Sequence, residues 1–116
     1  IRIGEGFAAV PTPALDAGDR PVVSEANPEG VVDIQIVLDY LCPICGEFEA
    51  TNADFISTLV ESGAATVEYR PIAILTSRSA GTEYSLRAAN AAACVANFTP
   101  NSFFAFNASL LDEQPE

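Results

Sequence analysis

The sequence predicts a single α/β domain, or part of one, built around a β-α-β unit. Three observations support this: an apolar, β-branched segment over residues 31–38, an amphipathic helical pattern that begins at Pro43, and a second β-branched segment over residues 65–75. Strand, helix and strand in this order favour two parallel strands joined by a right-handed crossover. With 116 residues, 49% of them hydrophobic, the chain suffices for one modest core and is too short for two domains.

The first strand and the helix after it have the clearest patterns. Residues 31–38 are almost continuously apolar, which is typical of a buried central strand. Pro43 suits the first turn of a helix because no backbone donor is needed there. The helix is predicted to stop at Gly63, which stands in the position of a C-terminal cap. Its apolar stripe consists of Ile44, Phe48, Phe55, Ile56, Leu59 and Val60.

The remaining segments are assigned from composition and spacing. Residues 1–30 contain four prolines with glycines and scattered acids, which predicts an extended N-terminal arm or linker before a domain over residues 31–116. In the second strand, Pro71 suggests an edge or a bulge. Two helices should follow, over residues 83–97 and from Pro100 to about residue 112, the second with Thr99 as its N-cap. Residues expected to face the core from it are Phe103, Phe106, Leu110 and Leu111; the phenylalanines from Phe98 to Phe106 are interpreted as core.

Composition excludes several classes of function. Sixteen acids oppose five bases, all of them arginines, so the cationic surface that binds nucleic acid is missing. The chain has no histidine, which excludes Ser-His-Asp and Cys-His catalysis and histidine metal sites. No apolar run approaches the roughly 18 residues that span a bilayer. Because the chain begins at Ile1 and not at methionine, we expect that a signal peptide or an anchor was removed upstream, unless the start is arbitrary.

The remaining strong nucleophile is cysteine, and the chemistry centres on the motif Cys42-Pro43-Ile44-Cys45. Free N–H groups and the dipole at the start of the helix favour an ionised sulfur on Cys42, the predicted nucleophile. Cys45 lies nearly one turn further on the same face, where it can close a short disulfide as the more shielded, resolving sulfur. Pro43 and Ile44 influence the donors near Cys42 and add no charge. Thiol–disulfide exchange through a mixed disulfide would follow, in a direction set by reduction potentials.

Two other uses of this motif stay open. One is a permanent disulfide, and the other is half of a zinc site completed by Cys94 and a carboxylate, although structural zinc normally takes four Cys or His ligands. Cys94 lies in an alanine-rich run and is interpreted as a buried structural cysteine that behaves as a small hydrophobe. In an exported protein an odd cysteine would instead seek a disulfide partner. We predict no metal and no cofactor.

Around this motif the sequence resembles the DsbA-like thiol oxidoreductases of the thioredoxin superfamily, and more narrowly their bacterial extracytoplasmic branch. The resemblance spans residues 31–116 and rests on residues 39–49 (DYLCPICGEFE), 67–71 (VEYRP), 91–94 (AAAC) and 103–116. It implies a thioredoxin-like fold with a helical insertion from about residue 79, with Cys42 as nucleophile and Cys45 as its partner. It further implies oxidation of reduced exported proteins, reoxidation by a membrane quinone-linked partner, and a location outside the cytoplasm, often with a membrane tether.

Three features depart from the pattern of this family. No cis-proline loop follows the helical insertion, and neither Thr12-Pro13 nor Thr99-Pro100 replaces it, so we expect the C-terminal part of the fold to be missing from this chain. Ile36 stands where many relatives carry a buried acid; Asp39 is a candidate for proton transfer, although an exposed strand-end carboxylate is the favoured interpretation. Ile44 replaces the histidine of the best-known oxidases, which argues against strongly oxidising behaviour. The alternatives to an oxidase are a disulfide reductase or isomerase on the same fold and, separately, a redox-inert thioredoxin-like binding module.

Overall fold

A four-stranded sheet and three α-helices make up the computed structural model, which describes residues 1–11, 16–20 and 26–115. The strands are β1 (Arg2–Ile3), β2 (Ala9–Val10), β3 (Val32–Leu38) and β4 (Ala65–Pro71). The helices are α1 (Pro43–Glu61), α2 (Tyr84–Phe98) and α3 (Phe103–Asp112). The helices pack on the sheet and on each other around one hydrophobic core, so the predicted α/β fold class is confirmed.

The sheet has the order β2-β1-β4-β3. β3 and β4 are parallel, with Val32 opposite Ala65 and Leu38 opposite Pro71, which confirms the predicted β-α-β unit. β4 is the interior strand and is largely buried, whereas β3 pairs on one side only in the described residues and is mostly exposed or half-buried. The prediction of β3 as the buried central strand is therefore wrong here. Pro71 fits the interior strand because it is the last residue of β4, which ends four residues earlier than predicted.

Residues 1–10 differ from the predicted arm. Ile3 pairs with Val67 in an antiparallel ladder and is completely buried, and the carbonyl of Ile1 accepts a hydrogen bond from the Tyr69 amide at 2.7 Å. An extended arm is thus the wrong description of this segment, because its two isoleucines join the core. Residues 12–15 and 21–25, including Thr12-Pro13, lie outside the described residues, and the domain boundary near residue 30 stays a prediction.

Helix α1 follows the predicted pattern at its end and departs from it at its start. Gly63 takes a left-handed φ of +79° just after the helix, the conformation that glycine adopts most easily, and so acts as the predicted terminator. Ile56 and Val60 are buried in the core, as expected. Leu59 is half-buried, and the other three residues of the stripe are exposed: Ile44 by 73%, Phe48 by 44% and Phe55 by 65%.

The two later helices agree with the prediction to within a few residues. Phe103 and Leu111 of α3 are buried, Phe106 and Leu110 are partly buried, and the ring of Phe103 packs on Tyr69 with 5.8 Å between centroids. Phe98 is exposed, so its interpretation as core is wrong. Thr99 stands at the N-cap position of the 3-10 turn Pro100–Ser102 that leads into α3, but its side chain makes no capping bond, because its hydroxyl donates to the Val95 carbonyl of the preceding helix.

Candidate active site

β3 delivers the two-cysteine motif to the start of α1. Cys42 is the N-cap residue, with extended backbone angles, and Pro43 is the first residue of the helix. At that position the helix needs no backbone N–H, so proline costs no helical hydrogen bond. The Cys42 amide donates to the Asp39 carbonyl at 2.9 Å, which closes a tight turn between strand and helix. Both cysteines are free thiols, and both are half-buried. Cys42 therefore lies beside the unpaired backbone N–H groups in the first turn of the helix.

Cys45 lies in the first turn of α1 and packs against the core. Burial raises the pKa of the Cys45 thiol above its usual value, and this effect outweighs a hydrogen bond from the Asp39 backbone that acts in the opposite direction. A hydrogen bond with Cys42 and the negative charges of Cys42 and Asp39 raise the pKa further. In the reduced site, burial and these charges therefore favour the protonated form of the Cys45 thiol.

Asp39 is buried, with 2% of its surface exposed, so the favoured interpretation of an exposed carboxylate is wrong. One of its carboxylate oxygens accepts from the Leu41 amide at 2.9 Å, and the other accepts from the Leu75 amide at 3.0 Å. Both oxygens are thereby occupied by backbone donors. Asp39 ties the cysteine loop to the segment that follows β4, which makes it a positioning residue.

Glu49, one turn after Cys45, is a buried acid that the sequence patterns did not reveal. Burial raises the pKa of the Glu49 carboxyl above its ordinary value of 4.5. Burial also raises the pKa of Tyr69, and the negative charge of Glu49 adds to that shift. Glu49 therefore places an acid close to the core beneath the cysteine loop, whereas Ile36 places none on β3. Its spacing of seven residues from Ile56 is the signal that would have put it on the buried face of α1.

Gln114, just after α3, also forms hydrogen bonds with the cysteine loop. Its amide nitrogen donates to the carbonyls of Tyr40 at 3.0 Å and Cys42 at 2.8 Å. Its oxygen lies against Gly46, where an added Cβ would come within 2.5 Å of it and within 3.0 Å of the Leu111 carbonyl. Gly46 thus allows the end of α3 to approach the first turn of α1.

Tyr40 connects the same loop to the core. It is completely buried, and its hydroxyl donates to the side-chain oxygen of Asn107 at 2.7 Å. Asn107 is also completely buried, in the middle of α3. Two residues therefore hold the turn that carries the cysteines through hydrogen bonds: Asn107 within α3 and Gln114 just after it.

A family model described as thioredoxin matches residues 25–116, which is most of the chain. The chain belongs to the thioredoxin family. It is similar to oxidised DsbA from Mycobacterium tuberculosis, with 32% identity and a TM-score of 0.68 over 99% of this chain and 57% of that one. It is also similar to the reduced disulfide bond oxidoreductase DsbG of the same organism, with 36% identity and a TM-score of 0.69 over 98% of this chain and 49% of that one.

Comparison with MdbA, a thiol-disulfide oxidoreductase from Corynebacterium diphtheriae, gives 23% identity and a TM-score of 0.63 over 75% of this chain and 44% of that one, and supports the fold alone. No curated protein matches the chain. The resemblance to DsbA-like proteins that the motif predicted is confirmed by these structures. This thioredoxin-family chain spans about half the length of the DsbA and DsbG chains that it matches.

An apolar groove of about 320 Å³ lies between β3 and α1 beside Cys45. Ile36, Ile44 and Phe48 line it, and Glu49 lies at the same groove. Ile44 presents an uncharged, highly exposed side chain next to the thiols, where it adds apolar contact area and no hydrogen-bond donor.

We predict that Gly46→Ala lowers the free energy of unfolding by about 1 to 3 kcal/mol, because the new methyl group displaces Gln114 from the two carbonyls that it holds. In a Gln114→Ala background the same substitution should cost clearly less, and urea unfolding of the four proteins gives the coupling energy. Gly4→Ala is the matched control, since its methyl group would meet only a Thr66 carbon at 3.7 Å. Equal costs in both backgrounds would show that Gln114 is not the displaced group.

Cys94 is exposed on α2, so its interpretation as a buried cysteine is wrong. The buried face of this helix carries Ala88, Ala92 and Ala96, four residues apart, and Cys94 falls between them in sequence and away from them in angle. In the part of the chain that the structure describes, no three Cys, Asp or Glu side chains come together as metal ligands. The zinc alternative therefore finds no site among these residues.

Proposed function

We propose that this chain catalyses thiol–disulfide exchange outside the cytoplasm and forms disulfides in reduced exported proteins through Cys42 and Cys45. One observation carries the proposal: the half-exposed Cys42 is the N-cap residue of a helix whose first turn contains the half-buried Cys45. Sulfurs in that position are stabilised as thiolates, which are both good nucleophiles and good leaving groups. The similarity to DsbA and DsbG supports the same chemistry.

The reaction starts from the Cys42–Cys45 disulfide. A client thiolate attacks the sulfur of Cys42, the bond to Cys45 breaks, and Cys45 leaves with the electron pair and takes up a proton. A second client thiolate then attacks the client sulfur of the mixed disulfide and releases Cys42 as a thiolate. The client loses two electrons and this chain gains two, so a further oxidant must restore the disulfide. We assign that step to a membrane quinone-linked partner.

The remaining site residues have supporting roles in this proposal. Asp39 fixes the turn before Cys42, and its charge favours the protonated form of Cys45, which slows the return of Cys45 to the mixed disulfide. Pro43 starts the helix without adding a donor, and Ile44 offers apolar contact to the client. A disulfide reductase or isomerase is the second candidate, because Ile44 supplies no positive charge to stabilise the Cys42 thiolate further.

The proposal also includes the location of the protein outside the cytoplasm and its attachment to a membrane, and the resemblance to the extracytoplasmic branch supports both. The proposal includes a membrane tether upstream of residue 1 as the attachment of the whole protein. Among the helices of the described residues, none combines the length and apolar character required to cross a bilayer.

A stoichiometric transfer experiment tests the activity. The oxidised chain is mixed with a reduced peptide that carries two cysteines, and the thiols of both are counted by alkylation and mass spectrometry. We expect one peptide disulfide for each Cys42–Cys45 pair that becomes reduced; a peptide that stays reduced would refute the proposal. Equilibration with glutathione then separates the candidates, since an oxidase needs a reduction potential higher than that of thioredoxin, which is about −270 mV.

A further inference from the structure

A second groove, of about 610 Å³, opens beside the cysteine motif. One wall contains Leu41 and Pro43, the two neighbours of Cys42 in sequence. The other wall is formed by the residues between β4 and α2 and by the first turn of α2, and it carries Arg78 and Arg87. We call this the arginine groove. A segment bound in it would lie next to the half-exposed sulfur of Cys42.

The arginine groove differs in charge from the rest of the molecule. The chain has a net charge of −11 and only five arginines, and two of them line this groove. Arg2 and Arg70 pair with carboxylates at 3.5 to 3.6 Å, whereas Arg78 and Arg87 make no ion pair within residues 1–11, 16–20 and 26–115. None of the described residues that line the groove is acidic; Glu83 lines a neighbouring depression instead.

The side chain of Arg87 is held by contacts within α2 and the turn before it, and the backbone of Arg78 is positioned by the segment after β4. The Nε of Arg87 donates to the Thr82 carbonyl at 2.8 Å, and its guanidinium lies 5.9 Å from the centre of the Tyr84 ring. Arg78 ends a short 3-10 turn, Thr76–Arg78, whose preceding residue Leu75 is bonded to the carboxylate of Asp39. The same carboxylate also accepts a hydrogen bond from Leu41 in the loop before Cys42, so Asp39 connects the wall of the groove to the cysteine loop.

We infer that the arginine groove binds acidic segments of client proteins, so that clients with Asp or Glu near the reacting cysteine are oxidised faster. Guanidinium groups bind carboxylates through paired N–H donors, and the apolar side chains of Leu41, Leu75 and Tyr84 accommodate the rest of such a segment. This inference rests on the proposed function and adds a substrate preference to it.

The overall negative charge opposes this preference at long range. The test is therefore made at about 0.15 M salt, where charges more than about 8 Å apart are largely screened and close pairs persist. Three peptides are compared that differ only beside their single cysteine, where they carry Glu, Gln or Lys. The measured quantity is the second-order rate at which the peptide thiolate attacks Cys42 of the oxidised chain, breaks the bond to Cys45 and forms the mixed disulfide, extrapolated to the fully ionised peptide thiol.

We expect the Glu peptide to react faster than the Gln peptide, and the Lys peptide to react slowest. Arg78→Gln and Arg87→Gln should each remove up to about fivefold of the advantage of the Glu peptide, the upper range for an exposed ion pair. Arg78→Lys should retain part of it. Arg20→Gln is the matched control, because it changes the net charge equally at an exposed position that does not line the groove.

Equal rates for the three peptides, or an equal loss in Arg20→Gln, would overturn the inference. Reduction of the disulfide by dithiothreitol, a small neutral dithiol, is measured on every variant alongside the peptides and should be unchanged. A chain that reacts with dithiothreitol and with all peptides alike keeps the proposed function without the acidic preference. A chain that reacts with none of the thiols refutes both. Circular dichroism of each variant confirms that the fold is intact.

Discussion

Replacing Cys42 with serine is expected to reduce client oxidation to the uncatalysed background. The hydroxyl of serine is not ionised at neutral pH and cannot form a disulfide, so both exchange steps lose their sulfur. Oxidation of a reduced two-cysteine peptide, followed by alkylation and mass spectrometry, measures the effect. Cys94→Ser is the matched control: it removes an exposed thiol on α2 and should leave the rate unchanged.

Cys45→Ser should give a different result from Cys42→Ser. Starting from reduced variant and a client disulfide, Cys42 still attacks and forms a mixed disulfide, but no resolving sulfur remains to release it. We expect a covalent complex that survives non-reducing electrophoresis and dissociates on addition of dithiothreitol. A complex that forms equally well through Cys94 in the Cys42→Ser variant would contradict the assignment of Cys42 as the nucleophile.

The α/β fold and the place of the cysteine pair could be predicted from local patterns. A β-branched run followed directly by Cys42 and Pro43 specifies a strand-to-helix junction, because each of these residues has a strong preference for its own position. The same patterns do not tell which strand is interior. Residues 31–38 are as apolar as a buried strand, yet within the described residues β4 and not β3 has neighbours on both sides.

The two short strands within the first ten residues were not predicted, for a related reason. β1 contains only Arg2–Ile3, which is too short for an alternating pattern to be visible, and nearby prolines favour an extended segment. What places Ile3 in the core is a pairing with Val67, far along the chain. Tertiary contacts of this kind cannot be derived from the composition of one segment.

Long-range hydrogen bonds also account for what sequence reasoning missed in the site. Asp39 looked like a strand-end carboxylate, but one of its two partners, Leu75, follows 36 residues later. Gln114 carries no motif and contacts the Cys42 carbonyl across 72 residues. Cys94 is a different case, because the four-residue spacing of Ala88, Ala92 and Ala96 already defines the buried face of α2 and leaves Cys94 off it.

Asp39→Ala is expected to lower the free energy of unfolding by about 3 kcal/mol, because the amides of Leu41 and Leu75 lose a charged acceptor in a buried place. Asp39→Asn should cost less, since one amide oxygen can still accept, while its NH₂ group faces the second backbone donor. Urea unfolding at neutral pH measures both. A loss for Asp39→Ala no larger than that of an exposed carboxylate such as Glu61→Ala would contradict the anchoring role.

A purely structural role for Asp39 would leave the acidity of Cys45 unchanged, so the second readout is the pKa of that thiol. The charge of Asp39 helps to raise the pKa of Cys45, and the neutral Asn in its place should therefore lower that pKa and shift alkylation of Cys45 to lower pH. The measurement is made in a Cys42→Ser, Cys94→Ser background, where Cys45 is the remaining thiol. Asp33→Asn, which removes a half-buried carboxylate from β3, is the control and should not move the profile. If Asp39→Asn and Asp33→Asn gave the same profile, the carboxylate of Asp39 would not act on Cys45, and its part in keeping that thiol protonated would have to be given up.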